Sequence, residues 1–171
     1  DRELMVKAYL SNGIRCSYWA GNMDYTSKAN GFYNKALSLA KENKLDKYVV
    51  SILIKLSALQ LNVPDYEKAA AYAGEASSKV SFLNNDSLRT LVMLTQGDVT
   101  MAKNAKIEAL RFYLGALRIA EQIKNDKLIR ESHLKLSGFY TGIEDYDRAI
   151  EYYTLAYNLL DKIAEQNVAY A

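Results

Sequence analysis

Residues 145–156, DYDRAIEYYTLA, carry the pattern that decides the fold of this chain. Within this stretch Ala149, Tyr153 and Ala156 follow one another at intervals of four and three residues. Residues at these intervals lie on one face of an α-helix, so two small side chains lie on either side of an aromatic ring. The stretch therefore predicts a helix that packs closely against a neighbouring helix.

The same pattern occurs four times at a constant interval of 40 residues. The three earlier copies are Ala29, Tyr33 and Ala36; Ala69, Ala73 and Ala76; and Ala109, Tyr113 and Ala116. A repeat of this length is typical of a solenoid in which each unit packs on the next. The interval predicts four repeats, covering about residues 3–45, 46–85, 86–125 and 126–165.

The composition is that of a folded protein, since 50% of the 171 residues are hydrophobic and 25% are charged. Eight glycines and one proline favour long helices joined by short loops. The formal net charge of +2 gives no general attraction to nucleic acid or to an anionic membrane. One cysteine excludes an internal disulfide framework, and no apolar run reaches the length of about 18 residues typical of a membrane span.

We interpret residues 1–171 as a single array that belongs to a longer protein. The chain starts at Asp1, without a methionine or a signal-like segment, and it stops at Ala171 within a helical pattern. Residues 166–171 are expected to open a further helix, and an uncovered end of this kind favours self-association. The compartment is left open, with the cytoplasm favoured over the periplasm.

The spacing of apolar residues and the turn signals between them predict eight helices. These helices are expected at residues 3–20, 25–42, 47–61, 66–82, 87–102, 106–123, 127–140 and 146–163. Asp46, Asp86 and Asp126, again 40 residues apart, are expected to cap three of them, and Asp65 after Pro64 to cap a fourth. Connections of about four residues join antiparallel neighbours, so the expected fold is all-α.

A 40-residue helix-turn-helix unit with A-x3-F/Y-x2-A on its second helix resembles the tetratricopeptide repeat, or TPR. The first-helix motif of that family, W-x2-L-G-x2-Y, is matched best by residues 136–140, LSGFY. Gly97 holds the glycine position in the third repeat, and Leu56 and Ser57 match the second repeat. The resemblance covers essentially the whole chain. It implies a right-handed α-α superhelix of antiparallel helix pairs, similar to the TPR arrays of bacterial signalling and regulatory proteins.

The chain also departs from the family pattern in three respects. In the first repeat Cys16 and Trp19 are placed at the small and aromatic positions, and the loop that follows is one residue longer than elsewhere. The consensus proline at the end of the second helix is absent from every copy. The period of 40 also exceeds the usual family length of about 34 residues, which indicates longer helices.

The resemblance implies a binding site as well, because the first helices of successive TPR repeats line a concave groove that holds peptides. Three columns of equivalent residues would line it: Ile54, Leu94 and Leu134; Ala58, Asp98 and Gly138; and Leu61, Met101 and Thr141. Such a groove suits an apolar peptide, a helix of a partner protein or another segment of the same protein. We therefore expect a protein-interaction scaffold. The alternative is a ligand-responsive sensor segment of a signalling or transcription-regulatory protein.

No motif in the sequence supports an enzyme, a metal site or a bound cofactor. His133, the one histidine, falls at the tryptophan position of the family motif and is interpreted as a core residue. Without a second histidine or a nearby cysteine, an ordinary zinc site is not expected. Cys16 lacks a basic neighbour that would activate a thiol, and the glycines form no phosphate-binding loop. The carboxylates around Asp145 lie at a helix start, where they favour the helix dipole.

Tyrosines and basic residues raise two further alternatives. Tyr33, Tyr113, Tyr140 and Tyr153 hold packing positions of the repeat, so we expect them in the core and not on a stacking platform. A basic strip for RNA or phosphate is the second alternative, but its spread over four helices favours a solvated face and no nucleic-acid partner. Its members are Lys103, Lys106, Arg111, Arg118, Lys124, Lys127, Arg130 and Lys135.

Overall fold

Eight α-helices and no strand are present in the computed structural model, which describes residues 1–19 and 23–168. The helices are α1 (Arg2–Ser17), α2 (Met23–Glu42), α3 (Asp46–Asn62), α4 (Tyr66–Val80), α5 (Asp86–Ala102), α6 (Lys106–Gln122), α7 (Asp126–Gly142) and α8 (Tyr146–Val168). The prediction of an all-α array of helix pairs is confirmed. Residues 20–22, between the first two helices, and residues 169–171 at the end lie outside the described parts of the chain.

The eighth helix differs from its expected form because it runs without a break to Val168. Residues 166–168 therefore continue α8 and do not open a further helix. The chain divides into two compact units, Asp1–Leu88 and Arg89–Ala171.

The first unit is built around α3. This helix packs against α2 on one side and α4 on another, while α1 packs against α2. Six apolar side chains of α3 are buried within this unit. They are Val49, Val50, Ile52, Leu53, Leu56 and Leu59.

The second unit is built around α7, which packs against both α6 and α8. Its core contains side chains from four helices. Leu94 comes from α5, Ala149 comes from α8, and the other members come from α6 and α7. The central members are Ala109, Tyr113, Ala116, Leu117, Leu136, Phe139 and Tyr140. The repeated alanine and tyrosine positions of α6 thus lie where the sequence pattern predicts.

Four turns between helices have the same backbone conformation. Lys44, Asn104, Lys124 and Glu144 have positive φ angles of 53°, 61°, 53° and 65°. In each turn the N–H of the following residue donates to the carbonyl oxygen five residues earlier, for example from Asn125 to Ala120 at 3.0 Å. This is the Schellman arrangement, which satisfies carbonyl groups at a helix end. It explains how the chain makes short turns with few glycines.

At three helices the cap position lies one residue before the aspartate that was expected to occupy it. The side chains of Asn85 and Asn125 accept hydrogen bonds from the amides of Leu88 and Leu128, at 2.9 and 3.2 Å. Asp86 and Asp126 are therefore the first helical residues and not the caps. A carboxylate there still favours the positive end of the helix dipole.

The same shift occurs at α3, where Asp46 is the first helical residue and Leu45 takes the cap position without a side-chain hydrogen bond. The expected cap at Asp65 is confirmed, because its carboxylate accepts from the amide of Lys68 at 3.1 Å. Asp145 caps α8 in the same way, accepting from the amide of Arg148 at 3.2 Å.

The first and second helices of a repeat meet at a position that holds either a glycine or a serine. Gly97 of α5 lies against Tyr113 of α6, and a Cβ at Gly97 would clash with the ring, with Cζ only 2.9 Å away. Gly13 of α1 lies against Tyr33 of α2 in the same manner. Both rings are buried, so the missing side chain provides the space that each ring fills.

Gly13 also corrects the expected register of the first repeat. Cys16, the predicted small position, is half-buried, and Trp19 is exposed. Gly13 lies sixteen residues before Ala29, whereas Gly97 lies twelve residues before Ala109. The spacing between these two packing positions is therefore four residues longer in the first repeat than in the third, whereas the expected register made it one residue longer.

In the other two repeats a serine occupies the position of the glycine. Ser57 donates to the carbonyl oxygen of Ala69 at 2.8 Å, and Ser137 donates to that of Ala149 at 2.9 Å. The second repeat has Ala73 where the tyrosine would be, so the serine has room. The fourth repeat keeps Tyr153, whose side chain is 58% exposed. The prediction that Tyr153 belongs to the core is therefore wrong, because in the part of the chain described no helix covers its ring as α7 covers that of Tyr113.

We predict that Gly97→Ala destabilises the second unit, because the added methyl group overlaps the buried ring of Tyr113. Overpacking of this kind costs about 1–3 kcal/mol, seen as a lower midpoint in urea denaturation. Gly138→Ala is the matched control, since nothing lies within 4 Å of the position of its Cβ. This variant should be as stable as the wild type or more stable, because alanine favours helices. Equal midpoints for the two variants would contradict the proposed packing.

Candidate functional site

The nine residues predicted to line the groove are divided between the two units. Ile54, Ala58 and Leu61 belong to α3 of the first unit, where Ala58 is exposed and the other two are half-buried. The other six belong to α5 and α7 of the second unit. The site is therefore described on α5 and α7, whose two helices lie in one unit.

The six residues of α5 and α7 are not equally accessible. Gly138 and Thr141 are exposed, and Asp98, Met101 and Leu134 are half-buried. Leu94 is only 2% exposed and belongs to the core of the second unit. The expectation that Leu94 contacts a partner is therefore wrong, because the residue packs inward among α5, α6 and α7. We call the other five residues together with Lys135 the α5–α7 surface.

The centre of the α5–α7 surface is polar. Asp98 of α5 forms an ion pair with Lys135 of α7, with 2.6 Å between Oδ2 and Nζ. The other carboxylate oxygen of Asp98 accepts a hydrogen bond from the hydroxyl group of Tyr113 at 2.9 Å. Burial, together with the charge of Asp98, raises the pKa of the Tyr113 hydroxyl, so this group stays protonated and donates. Asp98 thus links the buried ring of the repeat to the surface.

The sequence pattern did not identify Lys135 as part of this surface. A signal was nevertheless present: Lys135 lies one helical turn before Gly138, which is the equivalent of Asp98 at the 40-residue period. At the far end of the surface α5 and α7 approach closely, because Met101 Cε would lie 3.0 Å from a Cβ at Gly142. The surface therefore has an ion pair at its centre and an apolar contact at one end.

A ladder of stacked side chains lies behind this surface, between α7 and α8. The rings of His133 and Tyr152 are 5.7 Å apart, and those of Tyr152 and Tyr140 are 5.5 Å apart and nearly parallel. The guanidinium group of Arg148 lies 4.5 Å from the ring of Tyr140. Arg148 also pairs with Asp145, which fixes its position. The ladder connects the end of α7 with the start of α8.

His133 is buried in this ladder. Within residues 1–19 and 23–168, no group donates to or accepts from its Nδ1 atom. Burial lowers the pKa of the imidazole, and the nearby charge of Glu121 opposes this effect only in part.

The basic residues do not form a continuous exposed strip. Lys135 is paired with Asp98, and Arg130 is half-buried with an Nε atom that has no hydrogen-bond partner among the residues described. Lys106, Arg111 and Arg118 are exposed on α6. In the part of the chain that the structure describes, no cluster of three or more His, Cys, Asp or Glu side chains is arranged to hold a metal ion. The same part contains no helix with the length and hydrophobicity needed to cross a membrane.

Comparison with known proteins shows the fold and not a family. No protein-family model matches the chain, and none of the curated proteins compared with it matches. Among solved structures, BtubC (BKLC) from P. vanneervenii is similar with a TM-score of 0.71 and 20% sequence identity. The match covers 96% of this chain and 66% of BtubC.

A second similar structure is a signal-transduction ATPase with numerous domains (STAND) from Pyrococcus horikoshii, which has a tetratricopeptide repeat sensor. It matches with a TM-score of 0.68 and 17% identity over 99% of this chain and 26% of the ATPase. This chain therefore spans about two thirds of the length of BtubC and about a quarter of that of the ATPase. The match to the ATPase with its repeat sensor supports a TPR-like helical repeat fold.

We predict that the stability of the second unit falls when the pH is lowered from 7.5 to 5.5. The pKa of His133 is lower in the folded state than its ordinary value of 6.5, so the unfolded chain binds the proton more readily. The contribution of neutral His133 is complete above pH 6.5 and is lost as the pH falls toward the folded pKa. Urea denaturation at the two pH values measures the effect.

His133→Phe is the control for this prediction, because phenylalanine keeps a ring against Tyr152 and does not titrate. The difference in unfolding free energy between pH 7.5 and 5.5 should be smaller in this variant than in the wild type. Both pH values lie above the range in which Asp65 and Asp145 titrate, since their pKa values are lowered by Lys68 and Arg148. The same pH dependence in both proteins would assign the effect to another group.

Proposed function

We propose that this chain is a protein-binding scaffold without catalytic activity or a cofactor, and that the α5–α7 surface holds a segment of a partner protein. The proposal rests on one observation: exposed small residues lie beside half-buried polar and apolar side chains. Gly138 and Thr141 are exposed along α7, beside half-buried Met101 and the Asp98–Lys135 pair.

The small side chains of Gly138 and Thr141 allow a partner to approach the backbone of α7 closely. Nothing lies within 4 Å of the space where a side chain at Gly138 would be. The half-buried side chains of Leu134 and Met101 offer apolar area, worth roughly 25 cal/mol per Å² before the entropy of ordering is subtracted. Asp98 and Lys135 offer an acceptor and a donor that orient the bound segment. This combination suits a peptide or helix with both apolar and polar side chains.

A regulatory sensor segment is the second candidate function, favoured by the similarity to the STAND protein with a tetratricopeptide repeat sensor. In such a segment the bound protein or ligand changes the packing of the repeats, and a connected output domain responds. Hydrogen exchange separates the two candidates. A scaffold is protected only at the bound surface, whereas a sensor changes protection at helices distant from it.

The proposal predicts that a photo-reactive amino acid at position 138 forms a specific covalent adduct with a protein partner in the native cell. The same amino acid at Arg118, exposed on α6, is the control and should not give this adduct. Mass spectrometry identifies the attached peptide and distinguishes another protein from a second copy of this chain.

A second variant tests whether the adduct reflects binding at the α5–α7 surface. Thr141→Arg places a large charged side chain beside position 138 and should remove the adduct without a change in helical circular dichroism. If positions 138 and 118 give the same set of adducts, or if Thr141→Arg leaves the adduct unchanged, the α5–α7 surface is not the binding site.

A further inference from the structure

One side of α8 carries a stripe of large exposed side chains. Ile150, Tyr153 and Tyr157 are 65%, 58% and 60% exposed, and Tyr146 and Leu160 are exposed at the two ends of the stripe. These five residues follow one another at intervals of four, three, four and three, so they lie on one face of the helix. We call this stripe the α8 face. It is an amphipathic face, and in the part of the chain described no other helix covers it.

The repeat itself shows what covers such a face, because α6 has the same positions 40 residues earlier. Leu110, Tyr113 and Leu117 of α6 correspond to Ile150, Tyr153 and Tyr157 of α8. In α6 they pack against α7 within the core of the second unit. Phe139 of α7 meets the ring of Tyr113 edge to face, with 6.3 Å between the centroids. A helix with leucine and aromatic side chains on one face is therefore the natural complement of the α8 face.

A cavity next to Tyr153 indicates which side chain a helix bound to the α8 face should carry. It has a volume of about 230 Å³ and is lined by Ser137, Thr141, Tyr146, Ala149, Ile150 and Tyr153. The cavity lies beside Ser137, whose hydroxyl group donates to the carbonyl oxygen of Ala149. An apolar cavity of about 150 Å³ accommodates benzene in another protein. The cavity beside Tyr153 is therefore large enough for one phenylalanine or leucine side chain.

We propose that the α8 face binds an amphipathic helix of a partner protein, with an aromatic or leucine side chain inserted in the cavity beside Tyr153. Acidic Asp147 and Glu151 are exposed along one edge of the face, so basic residues are expected on the adjoining edge of the bound helix. This second binding surface lies on α8 and shares Thr141, which lines the cavity, with the α5–α7 surface. The arrangement repeats the packing of α7 on α6, which this chain already uses to cover such a face.

The test uses a fluorescent peptide with the sequence of α7, Asp126–Gly142, as the probe helix. Fluorescence anisotropy should show saturable binding of this peptide to the full chain. Ile150→Glu should weaken binding by about tenfold or more, because it places a charge in an apolar contact. A peptide with Phe139→Ala should also bind more weakly, since it lacks the aromatic anchor.

Leu155→Glu is the matched control, because it makes the same kind of change at an exposed apolar position two residues from both Tyr153 and Tyr157, on the opposite side of α8. It should leave binding of the peptide unchanged. All changed positions on α8 are exposed, and circular dichroism checks that each variant remains folded. If Ile150→Glu does not fold, Tyr157→Glu tests the same contact at another exposed position.

Three results would overturn the proposal. The peptide shows no saturable binding, or Leu155→Glu weakens binding as much as Ile150→Glu does. The third result is a dimer of the chain alone in analytical ultracentrifugation that Ile150→Glu converts to a monomer, since the occupant is then a second copy. None of these results depends on cross-linking at position 138, so failure here leaves the α5–α7 surface to be judged separately.

Discussion

In each repeat the packing of the two helices depends on the size of the side chain at one position of the first helix. At Gly97 the absence of a side chain lets the ring of Tyr113 enter the core, where it becomes 3% exposed. At Ser57 the hydroxyl group bonds to the facing helix instead, and Ala73 leaves room for it. Because protein interiors are close-packed, only one of these two combinations fits at a time. The first and third repeats use the ring, and the second uses the hydroxyl.

The fourth repeat carries both a serine and a tyrosine at these positions. Ser137 bonds to Ala149, and Tyr153 lies outside the core next to a small cavity. In the third repeat the ring is buried and its hydroxyl group holds Asp98, which in turn pairs with Lys135. The proposal that this chain holds other proteins rests on these two surfaces.

Much of the fold could be predicted from the sequence, because helix periodicity and a 40-residue interval are local properties of the chain. The burial of individual residues could not. Tyr153 matches the repeat pattern as well as Tyr113 does, but burial depends on the helix packed against the ring, which the repeat pattern does not show. The column containing Leu94 identifies equivalent positions and says nothing of how deeply each is buried. The cap at Asn125 lies one residue before the aspartate of the 40-residue interval, and the interval alone does not show which of the two residues begins the helix.

The most direct test of this account is a double-mutant cycle that moves the combination of the second repeat into the third. Gly97→Ser and Tyr113→Ala each disturb the packing alone, whereas together they reproduce the pair Ser57 and Ala73. The free energy of unfolding is measured by urea denaturation for the four proteins. We predict that the double variant is more stable than the sum of the single effects implies, by about 1 kcal/mol or more. Single effects that add within about 0.5 kcal/mol would contradict the central claim that these two positions compete for the same space.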